Sequence, residues 1–173
     1  EKVMRGIVAG AAVLVLLAAC SSQTPAEKAA EDARAVAQVE AAQRNGQPPV
    51  KPIEPQPIMF FDIRDGKLTG TGCNFVADGG GMGAILLAQD ERGVMKLDGK
   101  LVIFASDKGS TQLPQGAWSR YSGKEYALTL TRIDDGKAVK NGLVDLFSGQ
   151  VVVTDPFDRV VYKARGNVQC KPM

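Results

Sequence analysis

The chain has no histidine among its 173 residues. That removes Ser-His and Cys-His nucleophile pairs, and with them the commonest metal ligand. It has no apolar run long enough to cross a bilayer as a helix. The longest, residues 7–19, is thirteen residues and includes Gly10, where a span needs ~20. There is no Gly-x-Ser-x-Gly, no phosphate-binding loop, and no Ser-x-x-Lys after residue 20. Gly79-Gly80-Gly81-Met82-Gly83 is glycine-rich but lacks the lysine and the following helix of a phosphate loop. It reads as a hairpin or bulge, or as a close backbone approach to a ligand. Carboxylates sit together at Asp134-Asp135 and at Asp155 with Asp158. Both pairs fall on turns, where Asp is favoured for bonding its own backbone, and neither matches an EF-hand loop. Charge is balanced: residues 57–173 carry fifteen basic and thirteen acidic side chains. That is not the clustered basic face of a nucleic-acid binder. No enzyme activity, cofactor, metal or nucleic-acid partner is expected.

The N-terminus does carry a signal. Lys2 and Arg5 precede the apolar run, and small residues close it before Cys20. A basic start, an apolar core and a small-residue junction make an export signal. Leu17-Ala18-Ala19-Cys20 resembles the lipobox of bacterial lipoproteins. The resemblance implies cleavage after a signal peptide of residues 1–19, acylation of Cys20, and a membrane as the first partner. Ser21, rather than Asp, then implies transfer to the outer membrane. Stable anchoring takes about two acyl chains, at ~0.8 kcal/mol per buried methylene; such lipoproteins typically carry three. The alternative is an ordinary secretory signal with Cys20 as a bystander.

Two cysteines remain, Cys73 and Cys170. An even pair in an exported chain implies one disulfide. Closing a loop of roughly 100 residues is worth about 4.7 kcal/mol in the chain-entropy model. Two free thiols or a metal site are the competing readings.

The mature chain reads as three parts. Residues 20–45 are the lipidated N-terminus and a helical stalk. Residues 25–44 are strong helix formers, with Thr24 as N-cap, Pro25 at the first helical position, Glu27 completing a capping box and Gly46 as the stop. The apolar stripe is mostly alanine, so the helix is a solvated stalk, a weakly packing helix, or disordered. Residues 46–57 hold five of the nine prolines and read as a semi-rigid spacer or a docking ligand. Residues 58–173 carry the all-β signal of short apolar runs between turn dipeptides. Strands are expected near 58–63, 72–77, 83–88, 93–98, 100–106, 125–133, 149–155 and 159–169, with a tight hairpin at Asp98-Gly99 and no helix. Alternation puts Val160, Tyr162, Ala164, Val168 and Cys170 on one face of the last strand and Cys73, Phe75 and Ala77 on one face of an early one. The expected fold is all-β, a small antiparallel barrel or sandwich of about eight strands with one disulfide. A bond between an early and the final strand favours closure.

Leu113 to Lys124 holds the only Trp, beside Arg120 and Tyr121, in a Gly-, Pro- and Ser-rich context. Trp, Tyr and Arg dominate interface hot spots, and Trp also stacks on sugar faces. Either this segment is a recognition surface, or its aromatics tuck into the core edge. The layout of lipobox, small β-barrel, one disulfide and this loop resembles the periplasmic lysozyme-inhibitor lipoproteins. That resemblance implies an inhibitor-like binder, with Ser119, Arg120, Tyr121 and Lys124 joining Trp118 as partner contacts. The strand from Val160 to Cys170 also resembles the end of uncharacterised proteobacterial envelope lipoproteins. The expectation is an outer-membrane lipoprotein whose β-domain binds a protein or glycan partner. The rival is a structural subunit of an envelope assembly that docks through the 25–44 helix.

Overall fold

The computed structural model describes residues 24–172. The expected signal peptide, Cys20 and Ser21 lie outside the described residues. The described residues fall into two units, 24–47 and 48–172.

The described part of the first unit is one helix, α1 (Pro25–Asn45). Its start is the expected capping box: the Thr24 hydroxyl accepts the Glu27 N–H, and the Glu27 carboxylate accepts the Thr24 N–H at 2.8 Å. Gly46 follows as the C-cap. No residue of α1 is buried.

The second unit is all but entirely β. Its strands are β1 (Thr71–Ala77), β2 (Leu86–Gln89), β3 (Arg92–Leu97), β4 (Lys100–Ser106), β5 (Arg120–Ser122), β6 (Ala127–Ile133), β7 (Val139–Asn141), β8 (Val144–Thr154) and β9 (Val160–Pro172). Every pairing is antiparallel. Neighbours follow chain order from β1 to β6, then β6 pairs β8, β8 pairs β9, and β9 returns to β1. Eight strands thus close an up-and-down barrel, and β7 is an extra strand hairpinned onto β8. Closure removes the unpaired edges that a sandwich would leave. Cys73 and Cys170 face each other across the closing β1–β9 pair, 3.9 Å apart at Cα, and are disulfide-bonded. The Asp98-Gly99 turn joins β3 and β4, with φ of +48° and +75°. Two successive positive φ values match the twist of a two-residue hairpin.

The barrel interior is filled by side chains. Phe75, Leu86, Met95, Phe104, Tyr121, Leu128, Leu130, Val151, Val153 and Val168 are all buried in one cluster with the disulfide. It is a packed core rather than a ligand chamber. One end is closed by Leu113 and Ala117, which flank a 3₁₀ turn (Pro114–Gly116) packed on β1 and β9. Ile53 packs against the same core from the segment that precedes the barrel.

Four expectations change. Residues 58–63 are not a strand; α2 (Phe60–Asp65) forms instead. Ile58 and Leu68 bury against Leu87 and Val94, the outward residues of β2 and β3, with Ile63 packed beside them. The apolar run therefore covers the outside of the barrel. A short apolar run does not distinguish helix from strand by period alone. The prolines do not form a free spacer, because Pro48 onward packs on the barrel: Ile53 N–H bonds the Val161 carbonyl, Gln56 pairs with Lys96, and the Pro48 carbonyl accepts from Arg159. Only Gly46 and Gln47 separate α1 from that docked segment. The face of β9 slips at its start: a register shift opposite Val153 and Thr154 leaves Val160 exposed and buries Val161. Finally, β5 and β7 are strands in stretches where no strand was expected.

Candidate functional site

The expected recognition segment is split by the fold. Tyr121 sits on β5 and points into the core, fully buried. Its ring lies over Gly93 of β3, where a Cβ would come within 3.0 Å of it. Its hydroxyl donates to the Gln89 carbonyl at 2.6 Å and accepts the Trp118 N–H at 2.9 Å. Burial pushes its pKa up to about 12, with the bond from Trp118 working against the shift and the Asp90 charge adding to it. Tyr121 is thus a neutral strut, and it is withdrawn from the contact set.

Trp118 is half-buried against the core edge. Its indole Nε1–H donates to Asp90 Oδ1 at 3.0 Å. Backbone and ring are therefore each held by one bond, both to groups near the β2–β3 turn. Asp90 belongs to the wall of a recess of 320 Å³, shared with Thr69, Thr71, Gln89, Glu91 and Arg92. Gln89 is the one buried polar residue on that wall, and its amide is used at both ends: Nε2 donates to the Leu68 carbonyl, and Oε1 accepts from Arg92 Nε. Lys108 pairs with Glu91 and stands 3.7 Å from Asp90. Those two carboxylates hold its ammonium above the usual lysine range, Glu91 most strongly. The recess wall therefore carries two carboxylates and one cation, and through those carboxylates it is joined to the Trp118 indole and the Lys108 ammonium.

The other expected contacts fare differently. Arg120 is exposed at the start of β5. Ser119 is half-buried and committed to the loop: its hydroxyl accepts the Thr111 N–H, and its carbonyl accepts from Leu130. Lys124 is exposed but lies beyond the far end of β5 from Trp118. The fold brings Trp118 and Arg120 towards one end of the strand and sends Lys124 to the other.

Two larger recesses, of 560 and 500 Å³, flank the docked proline segment and share Lys51, Asp98, Glu125 and Tyr126. Burial first, then the charges of Glu125, Asp98 and Asp155, raise the Tyr126 hydroxyl above the usual tyrosine range. Sequence reasoning missed this groove. Its walls come from the β3–β4, β5–β6 and β8–β9 turns plus the proline segment, so no local motif marks it.

The paired carboxylates serve their turns. Asp155 accepts the Phe157 and Arg159 N–H groups and pairs with the Arg159 guanidinium. Asp135 accepts from Ser148 and the Lys137 N–H. Among the described residues, no group of three or more His, Cys, Asp or Glu could hold a metal ion, and no helix is long and apolar enough to cross a membrane. Comparison with family models, curated proteins and solved structures finds no match to this chain.

Proposed function

We propose that the chain is a lipoprotein anchored in the outer membrane through acylated Cys20, and that its barrel binds a protein or glycan partner of the cell envelope without catalysing a reaction. The lipobox-like Leu17-Ala18-Ala19-Cys20 supports the anchor. The packed interior supports recognition at the outer surface, since no chamber is left inside for a cargo. The observation that carries the binding role is the Trp118 indole, clamped to Asp90 at the edge of the recess beside Arg92 and Glu91. An aromatic face next to fixed carboxylates and cations suits sugar hydroxyls or a polar protein epitope.

Trp118 is the only tryptophan, so its emission reports directly on that surface. Titration with peptidoglycan fragments is expected to shift it if the ligand is a glycan. Crosslinking in cells followed by mass spectrometry tests for a protein. The double variant Trp118→Ala with Arg120→Ala is expected to keep its fold and lose the partner. Unchanged capture would refute the assignment, and outright unfolding would place Trp118 in the core alone.

A second reading rests on α1, which buries none of its residues and so presents its whole surface for docking on a neighbour in an assembly. Deleting residues 25–44 while keeping Cys20 tests it. Retained assembly would exclude the helix as the docking element.

A further inference from the structure

The most anomalous surface of the barrel unit is neither end but the outer side, at α2. Met59, Phe60 and Phe61 are 57%, 70% and 62% exposed. Three successive large apolar side chains in water are unusual on a soluble surface and mark an interaction site. They are not fraying. Asp62 accepts the Met59 N–H at 2.7 Å and pairs with Lys96 at 3.0 Å, both partners being largely shielded. Ile58 and Leu68, at either end of the segment, are buried in the outer cluster. The fold therefore spends a cap, an ion pair and two buried anchors on holding three apolar side chains outward.

The charges around them decide the occupant. Both carboxylates of α2 are neutralised within the protein, Asp62 by Lys96 and Asp65 by Arg64. The Arg64 guanidinium lies 4.9 Å from the centre of the Phe61 ring, and the Phe60 and Phe61 rings meet edge to face. Lys67 follows, exposed and without a paired carboxylate, and Arg92 donates to its carbonyl. The surface is thus apolar bulk with the long side chains of Arg64 and Lys67 at its margin, the carboxylates of α2 paired and Lys67 the one unpaired charge among them. Phe and Met offer no hydrogen-bonding edge for a polar protein epitope to read. Hydrocarbon under anionic headgroups meets both features: the rings enter the acyl boundary while long cationic side chains stay at the headgroups.

We propose that Met59, Phe60 and Phe61 form a membrane-contact surface that seats the barrel on a lipid bilayer. The inference rests on the Cys20 anchor only for the membrane that it places beside the barrel. The contact itself needs only the patch. It adds a second attachment point to the lipidated terminus.

The test uses the full mature chain made unacylated by Cys20→Ser, with vesicles of phosphatidylethanolamine and phosphatidylglycerol. The Cys20→Ser protein is expected to co-sediment with the vesicles. Phe60→Ser with Phe61→Ser is expected to weaken this by roughly tenfold or more, in line with the apolar area lost. Phe60→Trp keeps the surface apolar and is expected to add an emission, over the Trp118 background of the parent, that shifts to the blue when vesicles are added. Failure of the Cys20→Ser protein to sediment, equal binding by the serine variant, or an unshifted added emission from the Phe60→Trp variant would overturn the proposal. So would a concentration-dependent dimer abolished by the same serine variant, because the patch would then belong to a second copy. Intact-mass analysis of native protein tests acylation separately. An unmodified Cys20 would remove the anchor, while the vesicle result would still decide the patch.

Discussion

Tyr121→Phe removes one oxygen atom and tests whether the core and the candidate site are mechanically joined. The hydroxyl is fully buried and makes two short bonds, to the Gln89 carbonyl and from the Trp118 N–H. Phenylalanine fills the same space over Gly93, so no cavity opens and the loss is polar. Each buried group left without a partner costs about 1–3 kcal/mol. Gln89 is buried and Trp118 half-buried, so water relieves the second group in part, and the sum is about 2–4 kcal/mol. Unfolding entropy scales at about 2.1 cal/mol/K per residue, so for the barrel unit that loss lowers the melting temperature by roughly 8–15 °C. Calorimetry at neutral pH reads it.

A pH series adds a second, independent signature. Tyr121 has its pKa raised in the fold to about 12, above an unfolded value near 10. Its contribution is therefore fully present below about pH 10 and lost as pH rises through about 12. The parent is expected to lose its advantage over Tyr121→Phe across that interval. In the same variant the Trp118 backbone loses its anchor, so partner capture should weaken although Tyr121 touches no partner. A melting temperature within the error of the parent, with an unchanged alkaline profile, would refute the reasoning. It would mean that the Gln89–Tyr121–Trp118 bonds add no net stability and that Trp118 is positioned by Asp90 alone.

Other outcomes follow from the same structure. Cys73→Ala with Cys170→Ala is expected to cost about 2–5 kcal/mol, read as a lower urea midpoint with an intact β1–β9 ladder by hydrogen exchange; a neutral effect would mean the seven-residue pairing closes the barrel unaided. Asp62→Asn should loosen α2 at neutral pH, seen as faster amide exchange over residues 59–66. The Met59 N–H first, and Lys96 second, hold the Asp62 carboxyl below the usual carboxylate range. Its stabilisation is thus present above the ordinary value and lost as pH falls through the lowered one, so parent and variant should converge in acid. Persistence of the difference there would show that Asp62 acts through shape rather than charge.

Local rules in the chain determined a good part of this protein. Thr24, Pro25, Glu27 and Gly46 carry the capping chemistry of α1, and the helix runs between them. Asp98-Gly99 carries the positive φ that a two-residue hairpin needs, and β3 and β4 meet there. Alternation in β1 and the later part of β9 placed both cysteines inward, and the pair of thiols implied the bond that joins the two strands. Capping, turn geometry and strand facing depend on neighbours one to four residues apart, so one sequence carries them; the bond, between residues 97 apart, is implied only because two thiols are left to pair.

Tertiary structure decided the rest. Val160 and Val161 exchange faces because of a register shift against β8. Residues 58–68 become a short helix with buried flanks because Leu87 and Val94 present apolar surface on the outside of the barrel. The prolines settle on the barrel because Val161 and Lys96 supply backbone partners there. Tyr121 and Trp118, three residues apart, part company because one faces the closed interior and the other its rim. Except at the β8–β9 turn, where Thr154 faces Val160 across a short connection, the deciding neighbour lies tens of residues away. Burial and hydrogen-bond satisfaction across that distance are settled only when the barrel closes.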